Sequence, residues 1–402
     1  MIVACGSAET HLRRSSGRKF CIYHRASAKM TKRNDFLKLT SVLSSLGVMG
    51  MLGMALPPPA LAQIGGAPQQ IAAQLALDRT YPKMRITDRF LGLSIPGNTL
   101  GQTLGVAVNS RGDLFVYSRS DPQGIARGGA AARLFEFGPD PGYKYMKEWG
   151  PHNYAESFAH AVRVDKHDNV WIVDEGSGMV VKFNPRGQAV EWIGRPLEAI
   201  DYLQTYLEHV GAGYAYARAR RPEHPVGRVG AFNRPTDVTF DSHGNIFVSD
   251  GYGNSRVVKI SPGGKWLKEL GTWGSGQSQF KTPHSIAADA HDNIYVADRG
   301  NRRIQVFDDN LNYERTITGV SAPWALCITS GSPQYLFTGD GTTGKIYKLT
   351  LDGKVIGMAQ TSLGHGEDDT GDLIHSIACP NPNTLYLGSA SLWDVQKITI
   401  LH

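Results

Sequence analysis

The stretch "NIFVSDGYGNSRVVKI", residues 245–260, reads as two short apolar strands on either side of a polar turn that contains two glycines. An aromatic hydroxyl, Tyr252, stands between those glycines, and a charged residue, Arg256, opens the second strand. Alternating apolar residues interrupted by Gly and Asn predict a β-hairpin. The strand that precedes this stretch pairs in sequence with the first strand inside it, and this two-strand unit recurs along the chain. The recurrence decides the fold.

The recurring unit is an alternating strand, a turn rich in Asn, Asp and Gly, and a second strand that ends in Asp or a small residue. Its six copies begin at Leu104, His160, Thr236, His284, Trp324 and His375 and read "LGVAVNSRGDLFVYS", "HAVRVDKHDNVWIVD", "TDVTFDSHGNIFVSD", "HSIAADAHDNIYVAD", "WALCITSGSPQYLFTGD" and "HSIACPNPNTLYLGS". A third and a fourth strand follow, as in "SRVVKISPGG" and "KWLKELG". Four-strand units repeated about every 40–55 residues predict an all-β, six-bladed β-propeller.

Two segments depart from this regular spacing. The last copy ends the chain at "VQKITIL", its third strand, so we expect "LALDRTYPKM", residues 75–84, to supply the missing outer strand and close the ring. Between blades 2 and 3 a long insertion contains "LEAIDYLQTYLEHV", residues 197–210, whose apolar spacing predicts a short helix. Such an excursion serves as a lid or binding loop, or has no role at all, and the sequence leaves both open.

The first 62 residues have the composition of an export leader. A basic start at Lys32 and Arg33 precedes an apolar run over residues 42–56, and cleavage is expected after Ala62. The alternative, a membrane anchor, is disfavoured because the run is shorter than the ~20 residues that a span needs. We therefore divide the chain into residues 1–62, an N-terminal extension with a signal peptide, and residues 63–402, a propeller without a stable membrane span. The protein is expected to be exported, either to a periplasm or outside the cell.

Removal of this leader changes the charge of the protein. Residues 1–62 hold nine Lys or Arg and two Asp or Glu, so the formal net charge falls from +6 to −1 for residues 63–402. A nucleic-acid partner is therefore not expected. Two of the four cysteines, Cys327 and Cys379, remain, and export would allow them to form one disulfide, although the sequence cannot show that they meet.

Histidines occupy the first position of the repeat in blades 2, 4 and 6, at His160, His284 and His375. Alternate blades of a six-bladed ring lie about 120° apart, so these imidazoles are expected to converge on the axis. Three histidines with an open fourth position form a zinc site of the catalytic kind. A single histidine at a strand start is more often a capping or core residue, and the alternation by blade is what favours the metal site.

The positions just after the second strand should lie on the same face as these histidines. They place Arg119, Arg299 and Tyr252 at the mouth of the channel. Two guanidiniums suit the recognition of a carboxylate. A tyrosine beside positive charges is suited to act as a general base, because opposite charges favour the phenolate. The alternatives are ion pairing of the arginines with aspartates such as Asp298, and a packing role for the tyrosine ring.

These residues resemble the peptidyl-α-hydroxyglycine α-amidating lyases, within the NHL-repeat propellers. The resemblance is strongest in residues 232–274, in "FKTPHSIAADAHDNIYVADRGNRRIQVF" and in "LGVAVNSRGDLFVYSRSD". It implies zinc on the three histidines, Tyr252 as the base, and both arginines at a peptide or small-molecule substrate that carries a carboxylate. The implied reaction, by a carbon–nitrogen lyase, cleaves a carbinolamide to an amide and glyoxylate. It also implies that a separate hydroxylating enzyme supplies the substrate.

The chain departs from that family in one metal site. The resemblance implies a structural calcium on the backbone carbonyls of Val106 and Val162 and on a carboxylate directly after the third histidine. Ser376 stands at that last position, so the calcium site lacks its charged ligand and the calcium is in doubt. Two other functions remain as alternatives: a non-catalytic NHL propeller that binds a protein or glycan, and a lactonase-type propeller hydrolase. The axial histidines argue against the hydrolase.

Overall fold

A computed structural model describes residues 68–97, 99–120, 132–153, 155–194, 230–363 and 374–401. The expected leader and the expected helix at 197–210 lie outside these residues. One helix, α1 (Pro68–Asp78), precedes the strands, and no helix in the described part of the chain is long and apolar enough to cross a membrane. The strands are β1 (Arg85–Phe90), β2 (Gln102–Val108), β3 (Leu114–Arg119), β4 (Ala132–Phe137), β5 (Tyr145–Trp149), β6 (Ala159–Val164), β7 (Val170–Asp174), β8 (Met179–Phe183), β9 (Ala189–Gly194), β10 (Asp237–Phe240), β11 (Ile246–Asp250), β12 (Arg256–Ile260), β13 (Trp266–Leu270), β14 (Pro283–Ala288), β15 (Ile294–Asp298), β16 (Arg303–Phe307), β17 (Tyr313–Ile317), β18 (Pro323–Ile328), β19 (Leu336–Asp340), β20 (Lys345–Leu349), β21 (Val355–Gln360), β22 (Ser376–Asn381), β23 (Thr384–Gly388) and β24 (Gln396–Leu401).

These strands form six four-stranded antiparallel sheets, and the predicted six-bladed propeller is confirmed. Blades 1 to 5 take their strands in chain order: β2–β5, β6–β9, β10–β13, β14–β17 and β18–β21. Blade 6 consists of β22, β23, β24 and β1. The second strand of each blade is almost wholly buried, whereas most residues of the fourth strands in blades 1, 2, 3 and 6 are exposed or only half-buried. Burial thus decreases from the inner to the outer strands of a blade. For this reason the inner hairpins carry apolar runs, and the outer strands have a weaker hydrophobic pattern in the sequence.

The ring closes through a strand from the N-terminal side, as expected, but the segment predicted to supply it was wrong. β1, residues 85–90, pairs with β24 from Arg85 opposite Leu401 to Phe90 opposite Gln396. Residues 75–84 instead finish α1 and turn towards β1. The reason is Asp78, whose buried carboxylate accepts hydrogen bonds from Lys345 Nζ at 3.0 Å and Tyr347 Oη at 2.9 Å, and so fixes the end of the helix to blade 5.

The Asp that ends the second strand of most repeats has a structural role. Asp250 accepts hydrogen bonds from the Asn233 backbone N–H, Asn254 Nδ2 and Arg256 Nε, at 2.6–3.0 Å. Asp174 and Asp298 receive equivalent bonds from the loops that enter their own blades. Each carboxylate therefore ties the entry loop of a blade to the turn after its second strand. Arg256 of the opening stretch has the same structural role, because it is fully buried and pairs with both Asp250 and Glu269, the latter at 2.5 Å.

A disulfide joins the innermost strands of blades 5 and 6. Cys327 on β18 and Cys379 on β22 are bonded, at a sequence separation of 52. The cysteines lie in different blades, so their pairing depends on how the ring brings β18 beside β22. The bond links blade 6, which β1 completes, to blade 5, and so reinforces the ring beside the sheet in which β1 pairs with β24.

Removal of this disulfide is expected to destabilise the propeller. A Cys379→Ser variant should lose about 2–4 kcal/mol of unfolding free energy, because the unfolded chain regains the freedom of a long loop. Denaturant unfolding of the oxidised proteins measures the difference. Reductant should lower the stability of the wild type towards that of the variant and leave the variant unchanged. Equal stability of oxidised wild type and variant would show that the crosslink contributes nothing.

Candidate metal centre

The first residue of the repeat is placed by an irregularity in the strand pairing. In blade 2, Ala159 pairs with Asp174 and Ala161 with Val173, which leaves His160 between them without a partner on β7. A β-bulge of this kind turns one side chain out of the regular ladder. The same shift in register occurs in blades 1, 4 and 5, at Leu104, His284 and Trp324. The bulge therefore presents the first residue of these repeats towards the axis.

The structure brings His160, His284 and His375 together. Their ring centroids lie 4.6–4.9 Å apart, and one nitrogen of each ring lies within 4.8 Å of the other two. All three side chains are buried, with 2–6% of their surface exposed. The cluster has the size and composition of a three-histidine metal site. His167, His243 and His291, which lie in the turns between the first two strands of blades 2, 3 and 4, are exposed.

Each histidine of the cluster is oriented by the next blade in the ring. The Nδ1 atoms of His160, His284 and His375 lie 2.5, 2.7 and 2.8 Å from the backbone oxygens of Thr236, Trp324 and Leu104, respectively. A carbonyl oxygen can only accept, so each Nδ1 carries the proton and each Nε2 presents a lone pair. These acceptors are the first residues of blades 3, 5 and 1. The six first positions thus form one ring, in which the backbone oxygens of the three intervening residues orient the three histidines.

The protonation state of the cluster also suits a metal. Burial lowers the pKa of His160 well below its ordinary value, and the positive charge of Arg119 adds to the effect. Burial likewise depresses the pKa of His284 and His375, with Arg299 the next contributor for His284 and His160 the next for His375. Desolvation disfavours the charged imidazolium. The neutral form, which is the one that binds metals, is therefore favoured at neutral pH.

Tyr252 lies against this cluster. Its hydroxyl is 3.3 Å from His160 Nε2 and 3.1 Å from His284 Nε2. The flanking glycines are required by close packing: a Cβ at Gly251 would lie 2.0 Å from the Pro283 carbonyl oxygen, and one at Gly253 would lie 2.1 Å from the Asn233 side chain. Only glycine permits this approach. The two glycines therefore let the turn pack closely against neighbouring segments, and this position brings the Tyr252 hydroxyl to the histidines.

Arg299 lies at the same face, in a single 3-10 turn that follows β15. Its guanidinium carbon is 4.2 Å from the centroid of the Trp324 ring and 5.4 Å from that of Tyr252. Asp298, the alternative partner considered from the sequence, instead binds Arg303 at 2.8 Å. Within the described ranges, no carboxylate forms an ion pair with Arg299. Its charge is therefore available to an anionic ligand at the mouth.

Arg119 is held more firmly. Its guanidinium stacks on the Phe158 ring at 3.4 Å, Nε donates to the Ala159 carbonyl at 3.1 Å, and Nη2 lies 3.6 Å from Glu175. Glu175 is 3% exposed, so its charge is compensated inside the protein rather than by water. The structure thus brings Arg119 to the site together with a carboxylate that reduces the net charge there.

Two residues of this arrangement were missed in the sequence. Glu175 accepts hydrogen bonds from Arg234 Nε and Nη2 at 2.9 and 2.6 Å, and Arg234 in turn lies 4.7 Å from the Tyr252 ring centroid. Glu175 could have been found, because it directly follows the final Asp of its repeat, in register with Arg119 and Arg299. Arg234 lies in an entry loop outside the repeat, and nothing in the sequence connects it to the site.

Comparison with known proteins identifies the class. The chain matches the NHL repeat over residues 232–260 and 280–307, in blades 3 and 4. It is 30% identical over 286 residues to NHL repeat-containing protein 3 of Mus musculus. The aligned region covers 68% of this chain and 67% of that protein. The chain belongs to the NHL-repeat proteins, here in the form of a six-bladed propeller.

Within this class, the relatives include amidating enzymes, which confirms the resemblance predicted from the motifs. The chain is 28% identical over 330 residues to peptidyl-glycine alpha-amidating monooxygenase of Mus musculus, covering 75% of this chain and 30% of that protein. It is also 28% identical over 248 residues to a probable peptidyl-alpha-hydroxyglycine alpha-amidating lyase of Caenorhabditis elegans, covering 57% of this chain and 63% of that protein. The chain thus spans about a third of the mouse enzyme's length.

Among solved structures, a streptogramin B lyase shares the fold, with a TM-score of 0.50 and 14% identity over 79% of this chain and 98% of that one.

Proposed function

We propose that the protein is a zinc-dependent lyase that cleaves the C–N bond of a carbinolamide, R–CO–NH–CH(OH)–COOH, to an amide and glyoxylate. The observation that carries the proposal is the position of the Tyr252 hydroxyl, 3.1–3.3 Å from the Nε2 atoms of two histidines whose other nitrogens are committed to backbone oxygens. Two relatives are named for amidation chemistry, which supports the same reaction. The alternative is a non-catalytic propeller that binds a protein or glycan, consistent with a relative named only for its repeats.

The donor set fits zinc. Three neutral imidazoles with oriented Nε2 atoms are ligands that zinc accepts in catalytic sites, which keep a fourth position open. Among the residues that the structure describes, no carboxylate belongs to the cluster. His160, His284 and His375 would hold the ion, which when bound supplies Lewis acidity that makes a neighbouring hydroxyl more acidic.

The residues of the chain can carry the proton transfers. Tyr252 is placed to take the proton of the substrate hydroxyl as a general base. The electron pair of that O–H bond forms the carbonyl of glyoxylate, the C–N bond breaks, and the nitrogen leaves as the amide by taking up the proton that Tyr252 accepted. Atoms and electrons balance without an oxidant or a redox cofactor. Arg234 and Arg299, 4.7 and 5.4 Å from the ring centroid, stabilise negative charge as it develops on Tyr252.

Arg299 is proposed to bind the substrate carboxylate. An Arg299→Met variant should raise KM about 10–100-fold, because a charge-assisted contact to the carboxylate is lost. Steady-state glyoxylate release from α-hydroxyhippurate measures this effect. The methyl ester of the same compound is the matched control, since it offers no carboxylate and its KM should change little. An equal rise in KM for acid and ester would show that Arg299 does not bind the carboxylate, whereas a fall in kcat shared by both would reflect its stabilisation of charge on Tyr252.

The first test of the proposal is metal content together with turnover. Purified protein should contain about one zinc per chain, the capacity of a single three-histidine site, and release glyoxylate from α-hydroxyhippurate. Zinc without glyoxylate would keep the metal centre and reject this substrate. Protein that takes up no zinc when supplied with the metal would favour the binding propeller.

The proposal extends to the setting of the reaction. We propose that the protein is exported, to a periplasm or outside the cell, because structural disulfides such as Cys327–Cys379 persist in oxidising compartments. A separate hydroxylating enzyme must then supply the substrate, since this propeller's proposed site does no oxidation. Cell fractionation with an antibody against the propeller tests the location, and recovery in the cytoplasm would contradict it.

A further inference from the structure

The propeller axis also holds a charged side chain, Arg163, at a level below the three histidines. It lies on β6, three residues after His160, and its side chain is largely buried. Its guanidinium makes a bidentate ion pair with Asp237, through Nε at 2.9 Å and Nη2 at 2.5 Å. Nη2 also reaches Ser285 Oγ and the Leu326 carbonyl oxygen, both at 3.1 Å, and Nη1 donates to the Ile377 carbonyl oxygen at 3.2 Å.

These partners place the guanidinium on the propeller axis. The four residues belong to β10, β14, β18 and β22, the innermost strands of blades 3, 4, 5 and 6, whereas Arg163 itself comes from blade 2. A single planar group can contact four inner strands of a ring only from its centre. One side chain therefore links five of the six blades.

The height of this group along the axis is defined by the repeat. Asp237 and Ser285 lie one residue after the first positions of blades 3 and 4, and Leu326 and Ile377 lie two residues after those of blades 5 and 6. The calcium implied by the family resemblance would use the same levels: Val106 and Val162 two residues after their first positions, and Ser376 one residue after. Arg163 and that calcium would thus occupy the same section of the channel.

The surroundings suit a guanidinium and not a calcium ion. Calcium takes six to eight oxygen ligands, several of them carboxylate oxygens. The carboxylate of Asp237 is saturated, because besides Arg163 it accepts from Ser285 Oγ at 2.6 Å and from the backbone N–H groups of Val238 and Ile286 at 2.8 and 3.1 Å. Ser376 offers a neutral hydroxyl in place of a carboxylate. A dication here would also be repelled by the positive charge of Arg163.

We propose that the Arg163 guanidinium replaces the family's structural calcium as the cation that holds the inner strands together, so that this propeller is calcium-independent. The covalently attached charge cannot be removed by chelators or diluted away. The proposal does not depend on the reaction at the metal centre, because it concerns a separate level of the channel and is measured by stability.

The wild-type protein provides the first test. Purified protein should contain no stoichiometric calcium, and its Tm should be the same in EGTA and in excess calcium chloride. One calcium per chain that survives purification, or a Tm that falls in EGTA and is restored by added calcium but not by added zinc, would overturn the proposal. Zinc content and glyoxylate release, measured on the same sample, report separately on the proposed lyase activity.

Variants test the role of the guanidinium directly. Arg163→Met should lower Tm by roughly 5–10 °C, because it leaves the Asp237 carboxylate buried and unpaired. The matched control is Arg133→Met, which removes a bidentate pair with Glu148 on the partly exposed outer strands and should change Tm by less than about 2 °C. Equal shifts in the two variants would show that the axial position of Arg163 has no special role.

An exchange of cations distinguishes replacement from simple stabilisation. A double variant, Arg163→Ser with Ser376→Asp, removes the guanidinium and restores a carboxylate after the third histidine. Its Tm should rise when calcium is added and fall in EGTA, unlike that of the wild type. A folded double variant whose Tm ignores calcium would contradict the placement of both cations at one level of the channel.

Discussion

A His284→Ala variant is expected to lose stoichiometric zinc and to release glyoxylate at least about 10³-fold more slowly than the wild type. His284 supplies one of only three Nε2 donors in the cluster, and its Nδ1 is fixed by the Trp324 carbonyl oxygen at 2.7 Å. Two imidazoles cannot complete a site that needs three protein ligands. Metal analysis after gel filtration and steady-state turnover measure the two losses.

The matched control for this variant is His167→Ala. His167 is exposed in the turn between β6 and β7, where its backbone N–H donates to Asp165 Oδ1 at 2.9 Å. Its removal should leave zinc content and turnover unchanged. Circular dichroism of both variants separates loss of metal from loss of fold. A folded His284→Ala protein that retains zinc and turnover would remove the three histidines from the proposed mechanism.

A Tyr252→Phe variant should separate catalysis from metal binding. Zinc content should remain at the wild-type level, because the tyrosine is not a ligand in the proposed site. The value of kcat should fall about 10²–10⁴-fold, the usual contribution of a general base. KM should change little, since the ring that packs between Arg234 and Arg299 is retained. Metal analysis and steady-state kinetics on one preparation distinguish the two effects.

Tyr145→Phe is the control for the loss of a phenolic hydroxyl. Tyr145 lies on β5, the outer strand of blade 1, where its ring packs against Phe135 and Phe137. Both zinc content and kcat should match the wild type. If Tyr252→Phe instead retains full turnover, another group must take the hydroxyl proton. If it loses zinc as well as activity, the hydroxyl contributes to holding the metal.

The sequence predicted the parts of this protein that depend on short-range pattern. Alternating strands and Asn/Asp/Gly turns are local features, and their sixfold repetition indicated the number of blades. The approach of His160, His284 and His375 followed from the same repetition, because equivalent positions in a closed ring are related by rotation. Tyr252, Arg119 and Arg299 were brought to the same face for the same reason. Their chemical roles remain proposals that the variants above test.

What the repeat could not predict depends on contacts that cross it. The closing strand is β1 rather than residues 75–84, because the Asp78 carboxylate binds Lys345 and Tyr347 of blade 5 and holds those residues in the helix and its turn. The sequence by itself therefore determined the fold, the number of blades and the histidine cluster, all of which arise from local pattern and rotational equivalence. Only the tertiary structure decided the Cys327–Cys379 pair, the contacts of Arg234 with Glu175 and Tyr252, and the position of Arg163 on the axis. Each of these joins residues far apart in the chain that become neighbours only when the ring has closed.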